Sequence, residues 1–135
     1  MGVFSLIKPL KKYADYVNRA NTYENYFLRR KAIEIMNSAI EQQFTKEEKS
    51  SGLIYLGILY SKIKEYSTAS DCYNQALEIM KEEKFKYSSN FKKAIETFIM
   101  NQDKERAEFW LNNLLQRQVY DKKFEKLTAL IRKVQ

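Results

Sequence analysis

Apolar residues recur at steps of three and four along most of this chain. Between Lys46 and Ile63 they are Leu53, Leu56, Leu59, Tyr60 and Ile63, one stripe of a helix. Thr45 and Glu48 precede that stripe at Ser/Thr-x-x-Glu spacing, where each side chain accepts from the other residue's backbone amide. The pattern predicts a helix from about Lys46 to Ile63. Lys64 and Glu65 mark a turn, and Ala69, Tyr73, Ala76, Leu77 and Met80 place a second helix over about Tyr66 to Glu82. Further on, Phe91, Ala94, Ile95 and Phe98 lead to a turn at Asn101 to Asp103, with Asp103 as N-cap, and then to Ala107, Leu111 and Leu114. Upstream, Tyr16, Ala20 and Tyr23 are followed by Ala32, Met36 and Ala39. Asp121 is expected to cap a last helix. Phe124, Leu127, Ile131 and Val134 would line one face of it, and Lys122, Lys123, Lys126, Arg132 and Lys133 much of the rest.

The pattern repeats. Ala32 and Ala69 are 37 residues apart, and Ala69 and Ala107 are 38 apart. Leu53, Leu56, Gly57, Tyr60, Ala69, Tyr73 and Ala76 stand at the spacing of a tetratricopeptide repeat, and the chain resembles that family most clearly over residues 50–83. The resemblance implies a pair of antiparallel helices, with Gly57 and Ala69 small where they approach and Leu56, Tyr60 and Tyr73 filling the groove between them. The interval exceeds the family's period of about 34 by roughly one helical turn. Ile95 stands where the glycine is expected, Arg19 where a leucine is, and Lys81 where a proline closes the repeat. The expected fold is all-α, a TPR-like array of about three antiparallel helical hairpins over residues 13–135 with a C-terminal capping helix. Residues 1–12 form a short amphipathic N-terminal segment ahead of it. A Sel1-like array or an irregular bundle would also give helical hairpins.

The resemblance further implies that the first helix of each hairpin lines a concave groove. Val17, Asn21, Ile54, Ile58, Ser61, Lys62, Lys92, Glu96 and Ile99 are then the candidate peptide surface. The family's carboxylate clamp for C-terminal tails is mostly missing. Asn21 matches it, but Val17, Tyr55 and Ser89 stand where Lys, Asn and Lys belong, and Lys93 replaces an Arg that would grip bidentately. Ile54, Ile58 and Ile99 beside Lys62 and Lys92 instead suit an amphipathic or extended segment with some acidic residues. The same isoleucines would also serve to pack against a neighbouring hairpin. The reading is a non-catalytic adaptor for a protein or peptide. Regulators that sense short peptides, usually longer arrays, are a second use of such repeats, and homo-oligomerisation through an array end is a third expectation.

Composition narrows the field. Three Gly and one Pro in 135 residues leave little material for sheet corners and tight turns. Lys and Arg number 24 against 17 Asp and Glu, a net charge of +7, and ten Tyr and eight Phe could stack on bases, so nucleic acid is the alternative partner. The positive excess falls at the two ends of the chain. The longest basic run, Arg29 to Lys31, spreads around a helix at about 100° per residue rather than forming one patch. Tyr13, Tyr16, Tyr23 and Tyr26 fall on helical spacing and read as core. Trp110 reads as core packing near the cap.

Val3, Phe4, Leu6, Ile7 and Leu10 with Lys8, Lys11 and Lys12 make a short basic amphipathic stretch that could touch anionic lipid, although Pro9 interrupts it. It is too short for a signal peptide or a membrane span, and Leu6 stands where a myristoylation signal needs Ser or Thr. With one cysteine, Cys72, and no histidine, internal disulfides, zinc sites and histidine bases are excluded. No Gly-rich phosphate loop is present, and carboxylate pairs such as Glu47 with Glu48 look like solvated helix ends. No cofactor, metal or catalytic residue is expected, and the location expected is cytoplasmic.

Overall fold

The computed structural model describes residues 6–135, which are helical with no strand among them. In chain order the α-helices are α1 Tyr13–Asn25, α2 Arg29–Ile40, α3 Lys46–Lys62, α4 Tyr66–Ile79, α5 Asn90–Met100, α6 Lys104–Gln116 and α7 Ile131–Val134. Two 3-10 stretches, Arg117–Val119 and Lys122–Leu130, separate α6 from α7. Each helix from α1 to α6 packs on the next, and α3 also touches α5.

Three connections close in the same way, residue for residue. Between α1 and α2, α3 and α4, and α5 and α6, the residues Phe27, Lys64 and Gln102 adopt left-handed φ values of 61°, 63° and 59°. The amides of Leu28, Glu65 and Asp103 then reach back five residues to the carbonyls of Tyr23, Tyr60 and Phe98, at 2.8, 2.9 and 2.9 Å. This six-to-one bond satisfies a carbonyl the ending helix leaves free. The carbonyls of Leu28, Glu65 and Asp103 in turn accept from Ala32, Ala69 and Ala107, the three alanines spaced along the sequence. All three alanines are fully buried.

Gly57 explains the close pairing of α3 with α4. A Cβ there would stand 2.8 Å from the ring of Tyr73, which is itself buried, so the ring lies directly on the glycine. Gly52, one turn earlier, is buried against Ile40 and Met36 of α2. Tyr60 works on that α2 side, where its hydroxyl accepts from Asn37 Nδ2 at 3.1 Å. Between α3 and α4 the Tyr73 ring lies on Gly57, Leu56 is fully buried, and the Tyr60 hydroxyl is turned to α2.

The capping residues act as their spacing implies. Thr45 Oγ1 accepts from the Glu48 amide, and Glu48 Oε1 accepts from the Thr45 amide, both at 3.1 Å. Asp103 Oδ1 accepts from the Arg106 amide. Asp121 Oδ1 accepts from the Lys123 amide, but what it opens is a nine-residue 3-10 stretch rather than an α-helix. Because 3-10 side chains eclipse every third residue, the buried set there is Phe124, Leu127 and Leu130, with Val134 added by α7. The fully buried position is therefore Leu130, and Ile131 lies half-buried beside it against the same cluster. Helix α4 also ends at Ile79 rather than near Glu82.

Two apolar clusters result. One gathers Tyr16, Ala20, Ala32, Met36, Leu53, Leu56, Leu59 and Ala76 from α1 to α4. The other is aromatic, with Tyr73, Phe91, Phe98, Trp110 and Phe124. Trp110 is buried as expected, and its indole N–H donates to Asn74 Oδ1 of α4 at 2.8 Å, which turns that edge towards α4 rather than the cap. Among the four N-terminal tyrosines, Tyr16 is buried and Tyr13 and Tyr23 half-buried, but Tyr26 is 55% exposed because it ends α1 at the turn. Val3 and Phe4 of the amphipathic segment lie outside the described residues. Of the rest, Leu10 packs on the first cluster, Lys8 pairs with Asp15 at 3.1 Å, and Ile7 is exposed.

Candidate functional site

A half-open, largely apolar cavity of about 570 Å³ lies where α1, α3, the end of α4 and the start of α5 converge. Helical spacing builds each wall. On α1, Tyr13, Val17 and Asn21 are four residues apart and share one face. On α3, Glu47, Ser50, Ser51, Ile54, Tyr55 and Ile58 follow at three- and four-residue steps. Leu77 of α4 and Met80 just past its end close the floor, and Phe85, Ser88 and Phe91 form the far wall.

The nine groove positions divide. Val17, Asn21, Ile54 and Ile58 line this cavity. Lys62 does not; its ammonium pairs with Glu24, which also receives the Tyr55 hydroxyl. Ser61 Oγ lies 3.4 Å from Thr97 Oγ1 on α5, and Ile99 packs on the aromatic cluster. Glu96 pairs with Lys133 at 3.9 Å, and Lys92 is exposed. Of the two lysines expected in the groove, Lys62 is paired and neither lines the cavity; among the described residues the one charged side chain in the lining is Glu47.

A polar network stands at one edge. The Tyr55 hydroxyl sits 2.7 Å from Asn21 Oδ1 and 2.8 Å from Glu24 Oε1. Burial, and then the bond to Glu24 and its charge, push the Tyr55 hydroxyl pKa far up, so it remains a donor. Burial works against ionisation of Glu24, but bonds from Lys62 and Tyr55 and the charges of Lys62 and Arg29 outweigh it and hold its carboxyl below the ordinary range. Burial chiefly raises Tyr13 as well, despite a hydrogen bond with Ser51.

The far wall is tied down at alternate residues of the α4–α5 linker. Arg117, only 8% exposed, donates through Nη2 to the Lys81 carbonyl at 2.8 Å and through Nη1 to the Glu83 carbonyl at 2.7 Å. Its guanidinium also lies 3.9 Å from the centre of the Phe85 ring. The Tyr120 hydroxyl donates to the Phe85 carbonyl at 2.9 Å, and Asp121 Oδ2 accepts from the Tyr87 amide at 2.9 Å. Sequence reasoning missed this wall because the linker carries no periodic pattern. The aromatic run Phe85, Tyr87, Phe91 was its one visible signal.

Cys72 is buried, and burial with the charge of Asp71 pushes its thiol up to about 11, so it is protonated at neutral pH. Among the described residues no group of three or more Cys, Asp or Glu could hold a metal ion, and no helix is long and apolar enough to cross a membrane. No protein-family model, curated protein or solved structure matches this chain.

Proposed function

We propose that this protein is a TPR-like adaptor of three helical hairpins, α1–α2, α3–α4 and α5–α6, that takes a segment of a protein or peptide partner in the cavity between α1, α3 and α5. The observation that carries the reading is the apolar cavity, of a size that suits side-chain anchors and lined by Val17, Asn21, Ile54 and Ile58. The three equivalent turns and the Gly57–Tyr73 contact support the repeat reading. The polar rim, with Asn21, Ser51 and Tyr55 beside the acidic Glu47, supplies hydrogen-bonding groups for an extended or helical backbone.

The test is capture of partners by tagged wild type and by Ile58→Glu, each lysate split into nuclease-treated and untreated halves. The expected result is a protein recovered equally from both halves by wild type and lost in the variant, whose helicity is checked by circular dichroism. Reversing Lys122, Lys123 and Lys126 should leave that recovery intact. An unchanged profile in Ile58→Glu removes the cavity reading. Recovery that vanishes with nuclease moves the assignment to nucleic acid.

A further inference from the structure

The three equivalent turns differ in one respect. Two of them hold polar residues at the left-handed position, Lys64 and Gln102, whereas the first holds Phe27. A bulky residue at positive φ is an outlier that costs conformational energy. Phe27 is also 82% exposed, and its neighbours Tyr26 and Leu28 are 55% and 43% exposed. The fold itself gives no reason for this. Every bond that closes the turn is backbone to backbone, and the same bonds close the other two turns without an aromatic residue. A contiguous apolar corner in water points to a contact with something else.

The same chain carries a complementary surface. The cavity is largely apolar and half-open, and among the described residues the one charged side chain in its lining is Glu47. The corner is followed by Arg29, Arg30 and Lys31, which point to different sides of α2. The charge of Arg29 acts on Glu24 and Arg30 pairs with Glu65 at 3.2 Å, which leaves Lys31, its ammonium over the Tyr23 ring, as the cation to meet Glu47. We propose that the Tyr26–Leu28 corner of one copy docks, Phe27 first, into the cavity of a second copy. The inference rests on the cavity being a docking site. Corner and cavity are different surfaces, so each copy has one of each to offer. Three side chains bury far less than the roughly 1,200 Å² of a standard interface, so the association is weak and concentration-dependent, and a partner peptide in the cavity competes with it.

Sedimentation of the untagged chain from micromolar to millimolar concentration tests this. Wild type should sediment faster as concentration rises. Phe27→Asn, which suits left-handed backbone better, should reduce self-association by roughly tenfold or more while keeping the fold. Ser51→Arg, placed on the exposed cavity rim away from the core, should do the same. An equimolar mixture of the two variants should form a heterodimer and nothing larger, since it retains one intact corner and one intact cavity. A wild type that stays monomeric, a Phe27→Asn chain that still associates, or a mixture that does not dimerise overturns the proposal. So does Phe27-dependent binding to vesicles of anionic phospholipid without self-association, which would make the corner a lipid contact. If self-association fails while Ile58→Glu still loses its captured protein, the cavity reading stands and only the second copy is removed from it.

Discussion

The pairings of α3 with α4 and of α5 with α6 place the same alanine, Ala69 or Ala107, against the preceding turn, yet they solve the crossing differently. Shifted by the 38 residues that separate Ala69 from Ala107, Gly57 and Tyr73 of the first pair correspond to Ile95 and Leu111 of the second. In the first, a large ring lies on a residue with no side chain, and the two helices pack intimately. In the second, both residues are of middle size and buried, and α5 and α6 pack more loosely. The room left around the second pair is filled from outside it, where Phe85 and Phe124 close on Phe91 with ring centroids 5.2 and 5.9 Å away. How volume is divided across a crossing, more than its sum, sets how near two helices come.

The largest expected effect lies at the looser crossing. Ile95→Ala removes a fully buried side chain and should cost about 3 kcal/mol in urea unfolding, because neighbours collapse only partly into the gap. Gly57→Ala should cost about 2 kcal/mol for the opposite reason, since the new methyl meets the Tyr73 ring and nothing flexible can yield. Tyr73→Leu should cost about 1 kcal/mol less in the Gly57→Ala background than in wild type. Additive losses would break the account of that crossing. Lys64→Gly and Gln102→Gly should each raise stability by up to about 1 kcal/mol by relieving a left-handed side-chain residue. Unequal gains would show that the two turns are not equivalent.

The smallest effect lies outside both crossings and appears in acid. Asp15 accepts from the Lys12 and Lys11 amides at 2.8 and 3.0 Å and pairs with Lys8, which together hold its carboxyl at about 2 against an ordinary 3.8. A depressed carboxyl stabilises the fold above its unfolded value and loses that contribution as pH falls through its folded value. The stability of wild type should therefore decline between about pH 4 and pH 2, and Asp15→Asn should show a shallower decline in thermal melts over that window.

Much of this fold was legible in the sequence wherever local chemistry and global packing agree. Thr45 with Glu48, Asp103 at its turn and the three spaced alanines each depend on residues within one helical turn, so their spacing carries the information. The C-terminal segment misled because Phe124 and Leu127 fit an α-helix and a 3-10 helix equally, and the choice between Leu130 and Ile131 depends on packing against α6. A quarter of the cavity lining was visible, as Val17, Asn21, Ile54 and Ile58 on helical faces. Its remaining wall comes from an aperiodic linker, and the neutralisation of Lys62 by Glu24 joins residues far apart in the chain, which no spacing argument reaches.

The hold of Arg117, Tyr120 and Asp121 on the linker at Lys81, Glu83, Phe85 and Tyr87 makes two distant stretches of chain one unit of local unfolding. The cavity's far wall cannot lift away while the segment after α6 remains seated. Backbone amides near Tyr87 and those around Phe124 should thus exchange with solvent deuterium through a shared opening event, and any ligand that presses on Phe85 would be felt at the C-terminal residues as slower exchange.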